Sequence, residues 1–209
     1  MTIKLYGMPL SNYYNVVKAV MFEKSVAFEE VVARPSQEAD YIAKSPMGKV
    51  PCIETEQGFL TETSVMLDYL EDKGIGPSLY PTDSFERAKA RELMRYLELY
   101  IELPARRLYG DVFFGHPASD EEKTAVKKLL EKGFTALQRI AKYGPYMTGE
   151  DLTYVDFYAV FALSPVFWVC KKTWAWDVRA ATPELKALIG LMGERDSVMK
   201  VKADQVTNT

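Results

Sequence analysis

The first 80 residues alternate short apolar runs, which are typical of strands, with apolar positions at helical spacing. Residues 3–6 and 27–33 predict two strands. The helix predicted between them has an apolar side and a polar side. The apolar positions are Val16, Val17, Val20 and Met21, and the polar positions are Lys18, Glu23 and Lys24. This β-α-β order predicts a parallel pair of strands.

A hairpin and a helix follow. Residues 50–55 and 59–60, separated by Gly58, predict two antiparallel strands, and Thr63 or Ser64 is placed to cap the next helix. An antiparallel hairpin beside a parallel pair makes a mixed sheet. This part of the chain is therefore expected to be α/β, with a mixed four-stranded sheet.

The rest of the chain has helical patterning. Residues 74–84 contain two glycines and two prolines and are the best linker candidate. Residues 85–103 predict one long helix that Pro104 ends, and the polar tail after Asp196 is expected to fray. The second part of the chain is therefore expected to be all-α.

The stretch 152–170 is long and apolar enough to be considered as a membrane span. It contains Asp156 and Pro165, and no second span follows it, so a buried core helix is the better interpretation. Thr153 and Asp156 form a T-x-x-D capping pair at the start of that helix. We expect no membrane association.

Composition removes several classes of function. The 26 Lys and Arg against 29 Asp and Glu give a net charge of −3, so there is no basic surplus for nucleic-acid binding. His116 is the only histidine, and Cys52 and Cys170 form no C-x-x-C motif. A multi-histidine metal site, a thiolate zinc site and a disulfide framework are all excluded, and we expect no metal.

Ser11 lies at the predicted start of the first helix. It or Asn12 stands at the N-cap of the first helix, beside free backbone amides. A conventional serine nucleophile is not supported, because His116 is more than a hundred residues away and nothing pairs the two. A plain N-cap remains the alternative role.

Five strings in order carry a resemblance to a known family. They are I-K-L-Y-G-x-P-x-S at 3–11, S-P-M-G-K-V-P at 45–51, L-T-E-T-S at 60–64, L-Y-P-x-D-x-x-E-R-A at 79–88 and T-x-x-D at 153–156. Together with the order of predicted elements, they resemble the cytosolic glutathione transferases, in a bacterial form with a serine-type active site. The resemblance implies a thioredoxin-like domain over residues 1–76, a linker over 77–85 and an all-helical domain over 86–209.

The resemblance implies a binding site for glutathione as co-substrate. Val50, before a proline that is cis in that fold, would pair its backbone with the tripeptide, and Pro51 would hold that shape. Glu62 would hold the ligand's ammonium and Thr63 its carboxylate. Lys49 is a candidate for the glycine carboxylate, the alternative being a solvated lysine.

In this family the serine at position 11 would donate a hydrogen bond to the glutathione sulfur and favour the thiolate. Asn12 is a second donor, and Tyr13 and Tyr14 carry phenols, so the group that contacts the sulfur stays open. Tyr6 is rejected, because the alignment of the helix places Gly7 where tyrosine-type members have their phenol. Cys52 is expected to be a packed core thiol.

The thiolate would attack a small hydrophobic electrophile, such as a haloarene or an unsaturated carbonyl. The best candidates for the electrophile pocket are Leu10, Tyr109, Phe113 and Phe114. The family implies a homodimer in the cytoplasm. The alternatives are a glutathione-dependent isomerase or disulfide reductase on the same scaffold, and a transferase-like protein that only binds a partner, as the stringent-starvation regulators do.

Overall fold

The computed structural model describes residues 2–207. Its contacts divide the chain into two compact units: residues up to 79 together with those from 194 onward, and residues 80–193. The predicted helical domain runs to residue 209, whereas the contacts group the last helix with the first unit.

In chain order, the first unit contains β1 (Ile3–Gly7), α1 (Asn12–Glu23), β2 (Phe28–Val32), α2 (Ala39–Ile42), β3 (Cys52–Thr55), β4 (Gly58–Leu60) and α3 (Thr63–Asp72). The second unit contains α4 (Ser84–Arg95), a π-helical segment (Tyr96–Glu102), α5 (Leu103–Arg106), α6 (Tyr109–Phe114), α7 (Asp120–Ile140), α8 (Tyr154–Trp174), α9 (Val178–Ala181) and α10 (Pro183–Gly193). The chain then returns to the first unit with α11 (Asp196–Thr207).

The four strands form one mixed sheet in the order β2-β1-β3-β4. β1 pairs with β2 in parallel and with β3 antiparallel, and β3 pairs antiparallel with β4. The mixed sheet and the helical second part confirm the predicted fold class. Leu5, Ile53 and Leu67 have no exposed surface and belong to the core of this unit.

The polar side predicted for α1 is wrong at two positions. Lys18 and Lys24 are both buried. The Nζ of Lys18 lies 2.6 Å from a carboxylate oxygen of Glu30 and 2.6 Å from one of Asp204, and that of Lys24 lies 2.9 Å from Glu71. These carboxylates compensate the buried ammonium groups, which would otherwise stay in solvent.

The tail after Asp196 does not fray as predicted but forms α11, which packs against α1. Val198 and Val201 are fully buried. Their spacing of three places both on one face of the helix, which explains how a mostly polar segment can dock.

Pro104 does not end the long helix of the second unit. It occupies the first turn of α5, where a proline is tolerated, and the π-helical segment leads into that turn. Gly133 of α7 lies against this segment, since a Cβ there would come within 2.3 Å of the carbonyl oxygen of Tyr100. The close approach requires glycine.

Helix α8 is the core of the second unit. Its length and composition would allow it to cross a membrane. However, 72% of its most apolar 18-residue stretch is buried inside the protein. Pro165 lies within the helix and does not interrupt it. The buried surface agrees with the predicted core helix.

Candidate functional site

The sheet register brings three predicted segments to one edge. Tyr6 pairs with Cys52 and Ile53 with Leu60, so the end of β1, the start of β3 and the end of β4 meet there. Ser11 follows that end of β1, the Val50-Pro51 pair precedes that start of β3, and the Glu62-Thr63 pair follows that end of β4. Residues far apart in the sequence therefore leave the sheet at a common edge.

Ser11 is the N-cap of α1. Its backbone is extended, and its Oγ accepts a hydrogen bond of 3.3 Å from the backbone N–H of Tyr14. Within residues 2–207, the Ser11 hydroxyl proton is donated to no acceptor. The first turn of α1 contains no acidic residue, so the positive end of the helix dipole is not offset by a carboxylate there. Asn12 is the first residue of the helix and is half-buried.

Two of the nearby phenols, those of Tyr14 and Tyr6, donate hydrogen bonds to carboxylates. The Tyr14 hydroxyl donates to Glu30, and burial together with this bond raises the pKa of Tyr14. The Tyr6 hydroxyl donates to Glu54 at 2.5 Å, and this bond raises the pKa of Tyr6 to about 12. Gly7 has no room for a side chain, because a Cβ would lie 2.2 Å from the Tyr14 ring. These contacts support the rejection of Tyr6.

The loop before β3 is held by side-chain hydrogen bonds to its backbone. The carbonyl oxygen of Lys49 accepts hydrogen bonds from Ser45 Oγ at 2.8 Å and from the Tyr41 hydroxyl at 3.1 Å. The Val50-Pro51 bond is cis, as the resemblance implies. No backbone hydrogen bond within the described residues uses the N–H or C=O of Val50. Both groups are therefore free to pair with an extended ligand.

The start of α3 is open. Glu62, rather than Thr63 or Ser64, is the N-cap, and its side chain makes no capping bond. Its φ of 63° lies in the left-handed region, which is unusual for a residue with a Cβ and is often found at functional positions. Thr63 is the buried first residue of α3. An exposed carboxylate thus stands at a helix start that its own N-cap side chain does not cap.

The other two predicted residues of this unit behave differently. The Lys49 side chain is exposed, so its position alone does not distinguish a ligand contact from a solvated lysine. Cys52 is fully buried, and burial raises the pKa of its thiol. A buried thiol that holds its proton is a poor nucleophile.

The residues predicted for an electrophile pocket belong to different units. Tyr109, Phe113 and Phe114 belong to α6 itself, with ring centroids 5.4 Å apart for the first pair and 6.4 Å for the second. Phe114 is 69% exposed, and Leu10 in the first unit is 66% exposed. Large apolar side chains of this exposure are candidates for contact with a ligand or another protein.

Sequence reasoning missed the partner of Tyr109. Glu102, buried in the π-helical segment, accepts from the Tyr109 hydroxyl at 2.9 Å and from Arg106 Nη2 at 2.5 Å. Burial raises the pKa of Tyr109, and its hydroxyl donates its proton to the Glu102 carboxylate. The sequence signal for this contact was an acidic residue inside the apolar run L-Y-I-E-L-P, which indicates a buried carboxylate that needs a partner.

Comparisons with known proteins agree on one family. The family model described as "Glutathione S-transferase, N-terminal domain" matches residues 5–78, and the one described as "Glutathione S-transferase, C-terminal domain" matches residues 106–203. A glutathione S-transferase of Pseudomonas putida is 44% identical over 203 residues, which cover 97% of this chain and 92% of that protein.

Two solved structures share the fold. Glutathione transferase F7 of Populus trichocarpa has a TM-score of 0.80 at 20% identity, covering 98% of this chain and 99% of that one. A glutathione transferase homologue from Sulfitobacter with bound glutathione has a TM-score of 0.69 at 24% identity, covering 97% of each chain. The matches to both domains, and the relative that is 44% identical across nearly the whole chain, show that this protein belongs to the glutathione S-transferase family.

Proposed function

We propose that the protein activates the thiol of glutathione as a thiolate and conjugates it to small hydrophobic electrophiles. The observation that carries this proposal is the state of the Ser11 hydroxyl. It donates its proton to no acceptor within residues 2–207, and the first turn of α1 beside it contains no acidic residue. A hydroxyl with a free proton can donate to a sulfur anion. The Pseudomonas putida relative carries the transferase name, which supports the same reaction class.

The energy required is within reach of such a site. A free thiol has a pKa of about 8.5, so only a few per cent is ionised at neutral pH. Lowering that pKa by about two units requires roughly 2.7 kcal/mol of preferential stabilisation of the anion. One hydrogen bond to a charged acceptor contributes about 1.5–3 kcal/mol, and a helix N-terminus adds about 0.3–1 kcal/mol. Ser11 and the start of α1 together supply that amount.

The rest of glutathione would lie along the same edge of the sheet. We assign the unpaired backbone groups of Val50 to its central peptide, with Pro51 keeping the loop in shape. We assign its α-carboxylate to Thr63 and the amides of the open start of α3, and its ammonium to Glu62. Lys49 is assigned to the glycine carboxylate. The Sulfitobacter neighbour, solved with glutathione, supports this choice of ligand.

For the second substrate we propose an apolar electrophile. The exposed rings of Phe113 and Phe114, with Tyr109 beside them in the second unit, are assigned to that role. Leu10 of the first unit stays a separate candidate for contact with the electrophile. The Tyr109 hydroxyl donates to Glu102. We therefore assign Tyr109 to packing against the substrate through its ring rather than to proton transfer. The predicted domains take these roles: residues 1–76 bind glutathione, 77–85 link, and 86–209 contribute the electrophile site.

The test compares two N-cap serines. Ser11→Ala removes the proposed donor, whereas the control Ser119→Ala removes the cap of α7, where Glu122 N–H donates to Ser119 Oγ at 3.1 Å. We expect Ser11→Ala to lower kcat for a haloarene by about 10- to 100-fold with the glutathione Kd within about threefold, because the lost interaction forms mainly with the anion. The control should keep kcat. Equal turnover in the two variants would remove Ser11 from the mechanism.

The rival activities give different results. A disulfide reductase that works through a cysteine of its own would need a reactive thiol, and the buried Cys52 with its raised pKa is poorly suited to this. We therefore expect faster turnover of a haloarene than of an organic disulfide. A protein that only binds a partner should give no heat when titrated calorimetrically with glutathione. The homodimer and the cytoplasmic location stay predictions, the first open to test by sedimentation.

A further inference from the structure

The carbonyl oxygen of Pro9 is held by two side-chain amides. Asn15 Nδ2 on α1 donates to it at 2.8 Å, and Gln205 Nε2 on α11 donates to it at 3.3 Å. Pro9 lies in the turn between β1 and α1, two residues before Ser11. The donors come from elements at opposite ends of the sequence, so no local pattern would have indicated this pairing.

Holding this carbonyl restrains Ser11. The Pro9 carbonyl and the Leu10 N–H share one planar peptide unit, so two hydrogen bonds to the oxygen fix the orientation of that plane. The same turn is closed on its other side, because the Ser11 N–H donates to the carbonyl of Met8 at 2.9 Å. The direction in which the chain enters α1, and with it the direction of the Ser11 side chain, is then set from both ends of the turn.

The surroundings of the two amides limit their movement. Asn15 is buried, and its Nδ2 bond to the Pro9 carbonyl is the hydrogen bond that its side chain makes within residues 2–207. Gln205 follows Asp204, whose carboxylate binds the buried Lys18 at 2.6 Å.

The other end of α11 is anchored as well. Arg195 and Ser197 both bind the carboxylate of Glu23, the serine at 2.6 Å. The last helix is therefore attached to α1 at both ends. An anchored helix presents Gln205 at a fixed position, which reduces the entropy lost on forming its hydrogen bond.

We propose that Gln205 is a positioning residue for Ser11, acting with Asn15 as an amide clamp on the Pro9 carbonyl, and that α11 is thereby part of the thiol-activating apparatus. The inference rests on the proposed role of Ser11 as donor to the thiolate. Gln205 contacts neither substrate in the proposed site. It acts by keeping the Ser11 hydroxyl at the angle that a strong hydrogen bond to sulfur requires.

The test uses three variants of the full chain beside Ser11→Ala. Gln205→Met keeps the length of the side chain and removes its donor, and Gln205→Glu places a carboxylate against the Pro9 carbonyl. Lys202→Met is the control, because Lys202 is an exposed residue of the same helix. The readouts are the ultraviolet titration of the thiol of bound glutathione, kcat and KM for a haloarene, and the melting temperature.

We expect Gln205→Met to lower kcat near neutral pH about three- to fivefold and to raise the apparent pKa of the bound thiol by about half a unit, with KM for glutathione within about twofold. Gln205→Glu should have a larger effect of the same sign, and Lys202→Met none. These shifts report on the thiolate, which a purely structural contact would not move.

Two results would overturn the clamp. The first is an unchanged thiol pKa and kcat in Gln205→Met while Ser11→Ala shifts both, which would refute the clamp and leave the proposed function standing. A lower melting temperature without a shift in the thiol pKa belongs to this first result. The second is an unchanged thiol pKa in Ser11→Ala itself, which would refute the role of Ser11 and the clamp with it.

Discussion

Helices α3 and α8 both follow a Leu-Thr pair in the sequence, but their N-terminal ends differ. At the start of α8, Asp156 accepts hydrogen bonds from the N–H of Thr153 at 2.8 Å and of Met147 at 2.9 Å, and all three residues are buried. At the start of α3, Glu62 is exposed at a φ of 63° and caps nothing. One start is closed by its own carboxylate, and the other is left open.

The difference distinguishes a structural helix start from a ligand-binding one. Orphan amides at a helix start need acceptors, and α8 supplies one within three residues of its N-cap. The start of α3 has a carboxylate nearby but keeps it in solvent and keeps the backbone in a costly conformation. The positive end of the helix dipole and an exposed carboxylate complement the two charges of an α-amino acid. The comparison therefore predicts opposite effects of mutation at the two starts.

The largest effect is expected at the closed start. Asp156→Ala leaves the buried N–H groups of Thr153 and Met147 without an acceptor, and each unsatisfied group costs about 1–3 kcal/mol. We expect the free energy of unfolding to fall by roughly 3–4 kcal/mol, measured by urea denaturation. Glutathione affinity of the folded protein should not change. A comparable loss of stability in Glu62→Ala would contradict the distinction between the two starts.

The closed start should also make stability depend on pH. Burial raises the pKa of Asp156 to about 6, against the hydrogen bonds from Met147 and Thr153, which lower it. The folded protein then binds this proton more tightly than the unfolded chain, whose Asp pKa is about 4. Proton binding at Asp156 therefore contributes fully to the free energy of unfolding below pH 4. This contribution declines by roughly 2–3 kcal/mol as the pH rises to about 6.

The control for this pH effect is Asp156→Asn, which cannot titrate. The difference in unfolding free energy between the parent and this variant should change with pH between about 4 and 6 and stay level above it. Other carboxyl groups cancel in that difference. A difference that is flat over the whole range would show that Asp156 does not bind a proton more tightly when folded.

At the open start we expect a loss of binding without a loss of stability. Glu62→Gln removes the charge proposed to hold the ammonium and should raise the glutathione Kd about tenfold, measured by calorimetry. Glu62→Gly also removes the Cβ that makes a positive φ costly, so its unfolding free energy should stay level or rise by up to about 1 kcal/mol. A glutathione Kd of Glu62→Gln within about twofold of the parent would remove Glu62 from the site.

The sequence predicted features whose determinants are local. The β-α-β order and the Thr153–Asp156 cap depend on residues that are close in the sequence, and the structure contains both. The family resemblance supplied the cis Val50-Pro51 bond, which local propensity alone would have made unlikely.

What the sequence did not predict depends on partners far along the chain. Lys18 was placed on a polar face because Asp204, which binds it, is 186 residues away. The bond from Gln205 to Pro9 is not predicted for the same reason, since the two residues are 196 positions apart. The N-cap of α3 was placed one or two residues late, because capping preferences favour Thr or Ser over a Glu that caps nothing. Distant pairing and strained backbone have no local signature.

The smallest effect is expected at Thr63, where the hydroxyl can be separated from the shape of the side chain. Thr63→Val keeps the branched Cβ in its buried position and removes the hydroxyl proposed to bind the carboxylate of glutathione. We expect the glutathione Kd to rise only about fivefold, less than a full hydrogen bond to a charged group is worth, because the backbone amides of α3 would still bind the carboxylate. Thr63→Ser keeps the hydroxyl and should stay within about twofold of the parent. If the valine variant binds as well as the serine variant, the backbone amides of α3 hold the carboxylate without the side chain, and the open start is a feature of backbone alone.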